Sequence, residues 1–260
     1  MMSTPRPTIV ALIPARYQSS RFPGKPLVLI QGKPMIQWVY ERTKRSSLLD
    51  RVIVATDDER IQRVVLGFGG EAEMTATTHS TGTDRIAEVA GRVACDIVVN
   101  VQGDEPLIRP EMIDEAIRPL VEDPGIPMGT LAFRIRDQRE NTDPNVVKVA
   151  VDRNGFALYF SRAPIPWDRD RWDQNTALRD LPDSIARLKH IGLYAYRKEF
   201  LLSFAKMSST PLEECEKLEQ LRALEQGYRI RVALTDHESF GVDIPDDLSK
   251  ILKCLEEGRG

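Results

Sequence analysis

Short apolar runs alternating with helix-patterned sequence most constrain the fold of this chain. TIVALI at 8–13, RVIVATDD at 51–58 and DIVVNVQ at 96–102 read as strands. KPMIQWVYERTKR at 33–45, the stretch from Asp58 to Leu66, residues 84–93 and the segment from Pro110 to about Val121 read as helices, with Pro34 and Pro110 suited to first helical turns. Strands and helices alternating at this spacing predict a mostly parallel sheet covered by helices on both faces.

The second half changes character. PNVVKVAVD at 144–152 and FALYFSR at 156–162 flank Asn154-Gly155, a strong hairpin signal. A charged, tryptophan-containing loop runs on to about Arg187, longer than an ordinary connection and so expected to serve function. HIGLYAYR at 190–197 and RIRVAL at 229–234 read as strands, Pro211–Glu225 as a helix, and a closing helix follows Pro245. Antiparallel insertions are thus expected to decorate an α/β core.

At 260 residues the chain can bury a full core without a metal or disulfide. Thirty-six basic against 39 acidic residues leave a net charge of −3, which gives no global attraction to nucleic acid or to an anionic membrane. Cys95, Cys215 and Cys254 lack C-x-x-C spacing and are expected to be reduced thiols. The opening MMSTPRPT precedes an apolar run too short for a signal-peptide core or a membrane span, so a soluble cytoplasmic protein is expected.

Ligands of open α/β sheets collect beyond the carboxyl ends of the strands. Three segments fall there: ARYQSSRFPGK after the first strand, ATDD after the second and QGDEP after the third. The first carries Arg16, Arg21, Gly24 and Lys25 within ten residues and reads as a phosphate-holding loop. It has neither the G-x-G-x-x-G nor the G-x-x-x-x-G-K-[ST] pattern, which favours a sugar-nucleotide or nucleotidyl-transfer arrangement. Arg16 and Lys25 would neutralise a triphosphate and a departing diphosphate; each alone reads equally well as surface charge.

Asp104 is either a bend residue or a ligand for a divalent cation that accompanies phosphate, and Glu105 is restrained by Pro106. HSTGTDR at 79–85 is a mixed polar segment or simply a helix start capped by Thr81 or Thr83. Arg162 and WDRDR at 167–171 form a solvated lid or an anion clamp. Arg197 reads as a strand-end surface charge, and Glu219-Gln220 as a solvated helix face or a site. His79, His190 and His237 are scattered and suggest no zinc.

Together, IPARYQSSRFPGKPL, HSTGTDR, VNVQGDEPLI, DPNVVKV, ALYFSRAPIPWDRDR, HIGLYAYR, LEQLRALE and GVDIPDDL resemble the 3-deoxy-manno-octulosonate cytidylyltransferase (CMP-Kdo synthetase) family, over roughly residues 8–255. The resemblance implies a Rossmann-like, mostly parallel sheet of the nucleotide-diphospho-sugar transferase type, with an antiparallel elaboration for dimerisation and sugar binding. It divides a single domain into a nucleotide portion at 8–125, that elaboration at 126–235, and a metal-site turn with closing helix at 236–260. It further implies the reaction CTP + Kdo → CMP-Kdo + diphosphate with Mg²⁺, in a cytoplasmic homodimer, for lipopolysaccharide biosynthesis.

Carried over by position, Arg16 and Lys25 match the triphosphate loop, with Pro14 and Ala15 beside the base. Gly82 and Arg85, with Thr81 in place of the family's usual serine, fall near the base. Gln102 and Asp104 match the QGDEP site, and Asp243 matches a second metal-binding carboxylate. Arg169, His190, Tyr194, Glu219 and Gln220 match the sugar-acid pocket, with Arg169 and His190 as candidate counter-charges to the sugar carboxylate. Cys215 departs from the residues that relatives often carry. An 8-amino analogue of the sugar, sialic acid as acceptor, and a catalytically silent nucleotide-binding protein remain open at this point.

Overall fold

The computed structural model describes residues 6–18, 22–167, 169 and 187–257. The apolar runs form β1 (Ile9–Ala15), β4 (Arg51–Thr56) and β6 (Ile97–Asn100). β4 and β6 flank β1, both parallel to it, and β5 (Glu71–Met74) extends the sheet beyond β4. The chain therefore leaves β1 in one direction and returns on its other side, so the strand order reverses between β1 and β6. A crevice opens at such a point, beyond the strands' carboxyl ends.

On the far side of β6 lies β10 (Leu188–Arg197), antiparallel to both β6 and β7 (Met128–Arg134), and β11 (Ile230–Thr235) closes the sheet parallel to β7. The hairpin of β8 (Lys148–Val151) and β9 (Ala157–Ser161) branches off through β8, which pairs with β10. Its turn is longer than a two-residue Asn-Gly turn: Asp152 N donates to Phe156 O, Gly155 takes a φ of 74°, and the Asp152 carboxylate accepts from Asn154 N and Phe156 N. β2 (Leu29–Ile30) and β3 (Lys33–Pro34) pair separately.

Alternate residues of β1 pack opposite faces, as the period of a strand requires. Ile9, Ala11 and Ile13 meet α1 (Met35–Thr43), α2 (Glu59–Gly67) and α4 (Pro110–Glu122). Val10 and Leu12 share the other layer with α3 (Gly82–Arg92) and α6 (Lys198–Phe204). The expected three-layer α/β arrangement, with helices on both faces of a mostly parallel sheet, is what the chain adopts. α5 (Gln138–Thr142) is a single short turn.

The helix expected over Pro211–Glu225 is interrupted. Lys217 takes a left-handed φ of 54°, splitting it into α7 (Pro211–Glu216) and α8 (Gln220–Glu225). Tertiary contacts hold the break: Glu216 accepts from Ser161 Oγ and Arg162 N, and Glu213 is locked to Arg222.

The closing helix α9 (Asp247–Glu256) seats Ile251 and Cys254 against Ile30, Met35, Leu107 and Val242, which ties the chain's end to the loops around the crevice. All three cysteines are free thiols, and among the described residues no helix is long and apolar enough to cross a membrane.

Candidate active site

The loop after β1 turns back at Gly24, whose φ of 71° lies in the left-handed region where a side chain is strained, and whose N–H donates to Tyr17 O. A single 3-10 turn, Lys25–Leu27, follows and projects Lys25 into the crevice. From the other side comes the loop after β6. A Cβ on Gly103 would stand 2.7 Å from Pro14 O, so only glycine lets the two strand ends approach this closely.

A cleft between them is lined by Pro14, Ala15, Arg16, Lys25, Thr81, Gly82, Arg85, Gln102, Asp104 and Asp243, with His79 beside them. Thus every residue assigned to the nucleotide, together with both candidate metal ligands, reaches one cavity from four separate stretches of chain. Arg16 is exposed at the rim, while Arg21 lies outside the described residues. Thr81 also caps α3, accepting from Asp84 N at 3.0 Å in a reciprocal capping box, so the same residue starts the helix and lines the cleft. Arg85 is only 3% exposed and is paired with Asp57 at 2.8 Å, with a further bond to Thr75 Oγ1. Asp57 belongs to the strand-end ATDD segment but was not among the predicted site residues, and neither was His79, whose Nε2 bonds Glu88.

Lys25 Nζ lies 2.6 Å from Asp104 Oδ2, 2.8 Å from Val242 O and 3.8 Å from Asp243 Oδ1. Val242 N in turn donates to Asp104 O. Two carboxylates from distant segments thus converge on one cationic group. Among the described residues there is no cluster of three or more His, Cys, Asp or Glu side chains that could cage a metal. The pair fits Mg²⁺, a hard cation that usually takes one or two carboxylates and completes its shell with phosphate and water oxygens.

A second cleft adjoins the first and shares Asp104 and Asp243 with it. His190, Tyr194 and Gln220 line it, as do Glu105, which the sequence left undecided beside Pro106, and Lys189, which sequence reasoning did not single out. Gln220 Nε2 is buried with no hydrogen-bond partner among the described residues, an unused donor within this wall residue. A β-bulge after Ile191 reshapes β10 here, and Gln102 Nε2 donates to the Gly192 carbonyl at 3.0 Å.

The charge assigned to His190 needs correcting. Its ring packs between Phe160 and Tyr194, and Nε2 meets Thr130 Oγ1 at 2.9 Å. Burial pulls its pKa down to about 3, so at neutral pH it is an uncharged hydrogen-bonding group and not a counter-charge. The Tyr194 phenol is pushed upward for the same reason and stays protonated. Glu105 is only partly covered, but its carboxyl group is enclosed; burial pushes its pKa up to about 7 while Ser239 Oγ donates to it at 2.6 Å.

Glu219 lines neither cleft and accepts instead from Thr83 Oγ1. Arg169 is exposed and likewise lines neither, and its neighbours Asp168, Asp170 and Arg171 lie outside the described residues.

Comparison with known proteins gives a consistent picture. The sequence profile of the cytidylyltransferase family matches residues 10–230. A 3-deoxy-manno-octulosonate cytidylyltransferase of Geobacter sulfurreducens is 59% identical over 251 residues, covering 95% of this chain and 99% of that protein. One from Geotalea daltonii is 61% identical over 252 residues, covering 96% and 98%. The solved structure of a CMP:2-keto-3-deoxy-manno-octonic acid synthetase complexed with CTP superposes with a TM-score of 0.88 at 42% identity, covering 96% of this chain and 99% of that one.

Proposed function

The chain belongs to the cytidylyltransferase family and, within it, to the 3-deoxy-manno-octulosonate cytidylyltransferases, and on that footing we propose how its two clefts divide the work. The enzyme catalyses CTP + Kdo → CMP-Kdo + diphosphate, the activation of the sugar acid for lipopolysaccharide biosynthesis. The observation that carries the division is that the two clefts meet at Asp104 and Asp243. CTP occupies the first and Kdo the second, so that the α-phosphorus and the sugar's anomeric hydroxyl come together at the shared carboxylates.

The hydroxyl oxygen attacks the α-phosphorus in line, and the bond to diphosphate breaks. Holding the two reactants at one junction is itself a large part of catalysis. Arg16 and Lys25 stabilise the negative charge that collects on the departing diphosphate. Pro14, Ala15, Thr81, Gly82 and Arg85 shape the nucleotide wall, with Asp57 holding Arg85 in place, and Gln102 joins this wall to the bulge of β10. Asp104 and Asp243 are the residues that would hold Mg²⁺. When bound, that ion would withdraw charge from the phosphate oxygens.

On the sugar side, neutral His190 and the Tyr194 phenol offer hydrogen bonds, and Gln220 Nε2 is a buried donor without a protein partner among the described residues. Arg169 is the cationic candidate for the sugar carboxylate, since an arginine binds it bidentately. The division of the chain at 8–125, 126–235 and 236–260 is supported by the linings: apart from Asp243, the first cleft is built from residues 14–104. Exposed Leu158 on β9 and Leu234 on β11 support a homodimer.

The test is to incubate purified protein with CTP and Mg²⁺ and, separately, Kdo, its 8-amino analogue or sialic acid, and to measure diphosphate release. Kdo should be turned over far faster than sialic acid, and UTP or ATP should replace CTP poorly. Equal turnover with sialic acid, or no release with any acceptor, overturns the assignment.

A further inference from the structure

Thr83 follows Gly82 at the start of α3, one residue from the wall of the first cleft, and is 3% exposed. Its Oγ1 donates to Glu219 Oε2 at 2.5 Å, across 136 residues of sequence. Glu219 lies 3.6 Å from Arg222 Nη2, and Arg222 pairs with Glu213 through Nε at 2.8 Å and Nη2 at 2.6 Å. A polar chain therefore runs from Thr83 through Glu219 and Arg222 to Glu213.

This chain meets a helix that cannot fix its own position. α8 has six residues, too few to be stable alone, and starts without a side-chain cap, just after the left-handed turn at Lys217. Its first residue is Gln220, which lines the second cleft and whose Nε2 is buried without a hydrogen-bond partner among the described residues. Glu219, immediately before it, has one oxygen on Thr83 and the other without a hydrogen-bond partner among the described residues. The Thr83 hydroxyl is thus the hydrogen bond that ties the start of α8 to α3.

We propose that Thr83 is a positioning residue for the sugar-acid side of the reaction: its hydroxyl anchors Glu219 and so holds Gln220 against the second cleft, in register with the nucleotide wall that begins at Gly82. This rests on the second cleft being the Kdo site. Burial already raises the Glu219 pKa while Thr83 and Arg222 oppose the rise, so removal of the hydroxyl leaves an enclosed carboxylate with one distant cation. Such a group turns away or takes up a proton, and the start of α8 shifts with it.

The experiment compares Thr83→Val, which keeps the shape and removes the hydroxyl, with Thr83→Ser, which keeps the hydroxyl. Kdo is varied at saturating CTP, and CTP binding is titrated directly on each variant. Loss of a hydrogen bond to a charged group should raise the Thr83→Val KM for Kdo about tenfold or more while the CTP Kd stays within about twofold, and Thr83→Ser should remain near wild type. Thr83→Ala, also without the hydroxyl, must show the same split and serves if the valine variant folds poorly. An unchanged KM for Kdo in the hydroxyl-free variants, an equal loss of CTP affinity, or a serine variant as impaired as valine overturns the proposal. These outcomes all require a wild-type enzyme that uses Kdo; a wild type inert toward Kdo overturns the functional assignment instead, and this one with it.

Discussion

Lys25 and Asp104 face each other across the crevice between β1 and β6, with Nζ 2.6 Å from Oδ2. The lysine is 15% exposed and the aspartate 34%, so the pair sits at the mouth of the cleft, not sealed in the core. Asp243, 59% exposed, approaches the same ammonium from the loop before α9. One basic and two acidic groups from three remote parts of the chain are thereby concentrated where the two clefts join.

The carboxylates can be tested singly. Asp104→Asn and Asp243→Asn should each lower turnover by at least about 10²-fold, because each removes a charged group proposed to hold the metal beside the phosphates. Circular dichroism should report an intact fold, and a Mg²⁺ titration should show a raised requirement. Near-normal rates for both variants at low Mg²⁺ would mean that these acids do not form the metal site.

Lys25 and Arg169 should fail in different ways. Lys25→Ala removes the ammonium proposed to face the triphosphate and should cut kcat by about 10²-fold with weakened CTP handling. Arg169→Ala should raise the KM for the sugar acid and leave CTP affinity unchanged, since it removes the partner proposed for the sugar carboxylate. Steady-state kinetics with each substrate varied against saturation of the other, backed by CTP titration, separates them. If Arg169→Ala loses CTP affinity as strongly as Lys25→Ala, its loop belongs to the nucleotide side.

Gly103→Ala probes the close approach of the two strand ends. Its Cβ would meet Pro14 O at 2.7 Å, and backbone is the obstacle, so the loops must part. A displacement of the reacting groups on this scale should cost up to about 10²-fold in kcat/KM. Wild-type kinetics in a variant that melts normally would show that the narrow crevice is not needed for catalysis.

His190 should make the protein acid-sensitive in a defined window. Its folded pKa of about 3 is depressed from 6.5, so the unfolded chain takes up the proton first as pH falls. The penalty is absent above pH 6.5 and grows as pH drops through the range toward 3, by at most about 1.4 kcal/mol per pH unit. Denaturant unfolding of wild type and His190→Gln at about pH 7 and about pH 5 checks this, with the wild type expected to lose more stability. Equal losses would show that His190 does not carry this dependence.

β1, β4 and β6 and the helices α1 to α4 were legible in the sequence because their signals are local: an apolar run or a 3.6-residue period lies within a dozen residues. Lys25, Asp104 and the HSTGTDR segment were legible as strand-end or helix-start chemistry, and their family roles came through the order of motifs. β5, with its polar EAEM, and β7, with its small residues, carry little local signal and become strands by pairing with β4 and with β10 and β11.

The break at Lys217 could not be read locally either, since PLEECEKLEQLRALE is periodic throughout; Ser161 and Arg162, remote in sequence, hold it by bonding Glu216. By itself, then, the sequence determined the α/β class and which residue types were available for phosphate chemistry. The tertiary structure decided that β10 runs against its neighbours, that Asp243 stands beside Lys25, that His190 is neutral and that Glu219 answers to Thr83. Each of these depends on desolvation or on contact between residues far apart in the chain, and neither exists until the sheet has brought them together.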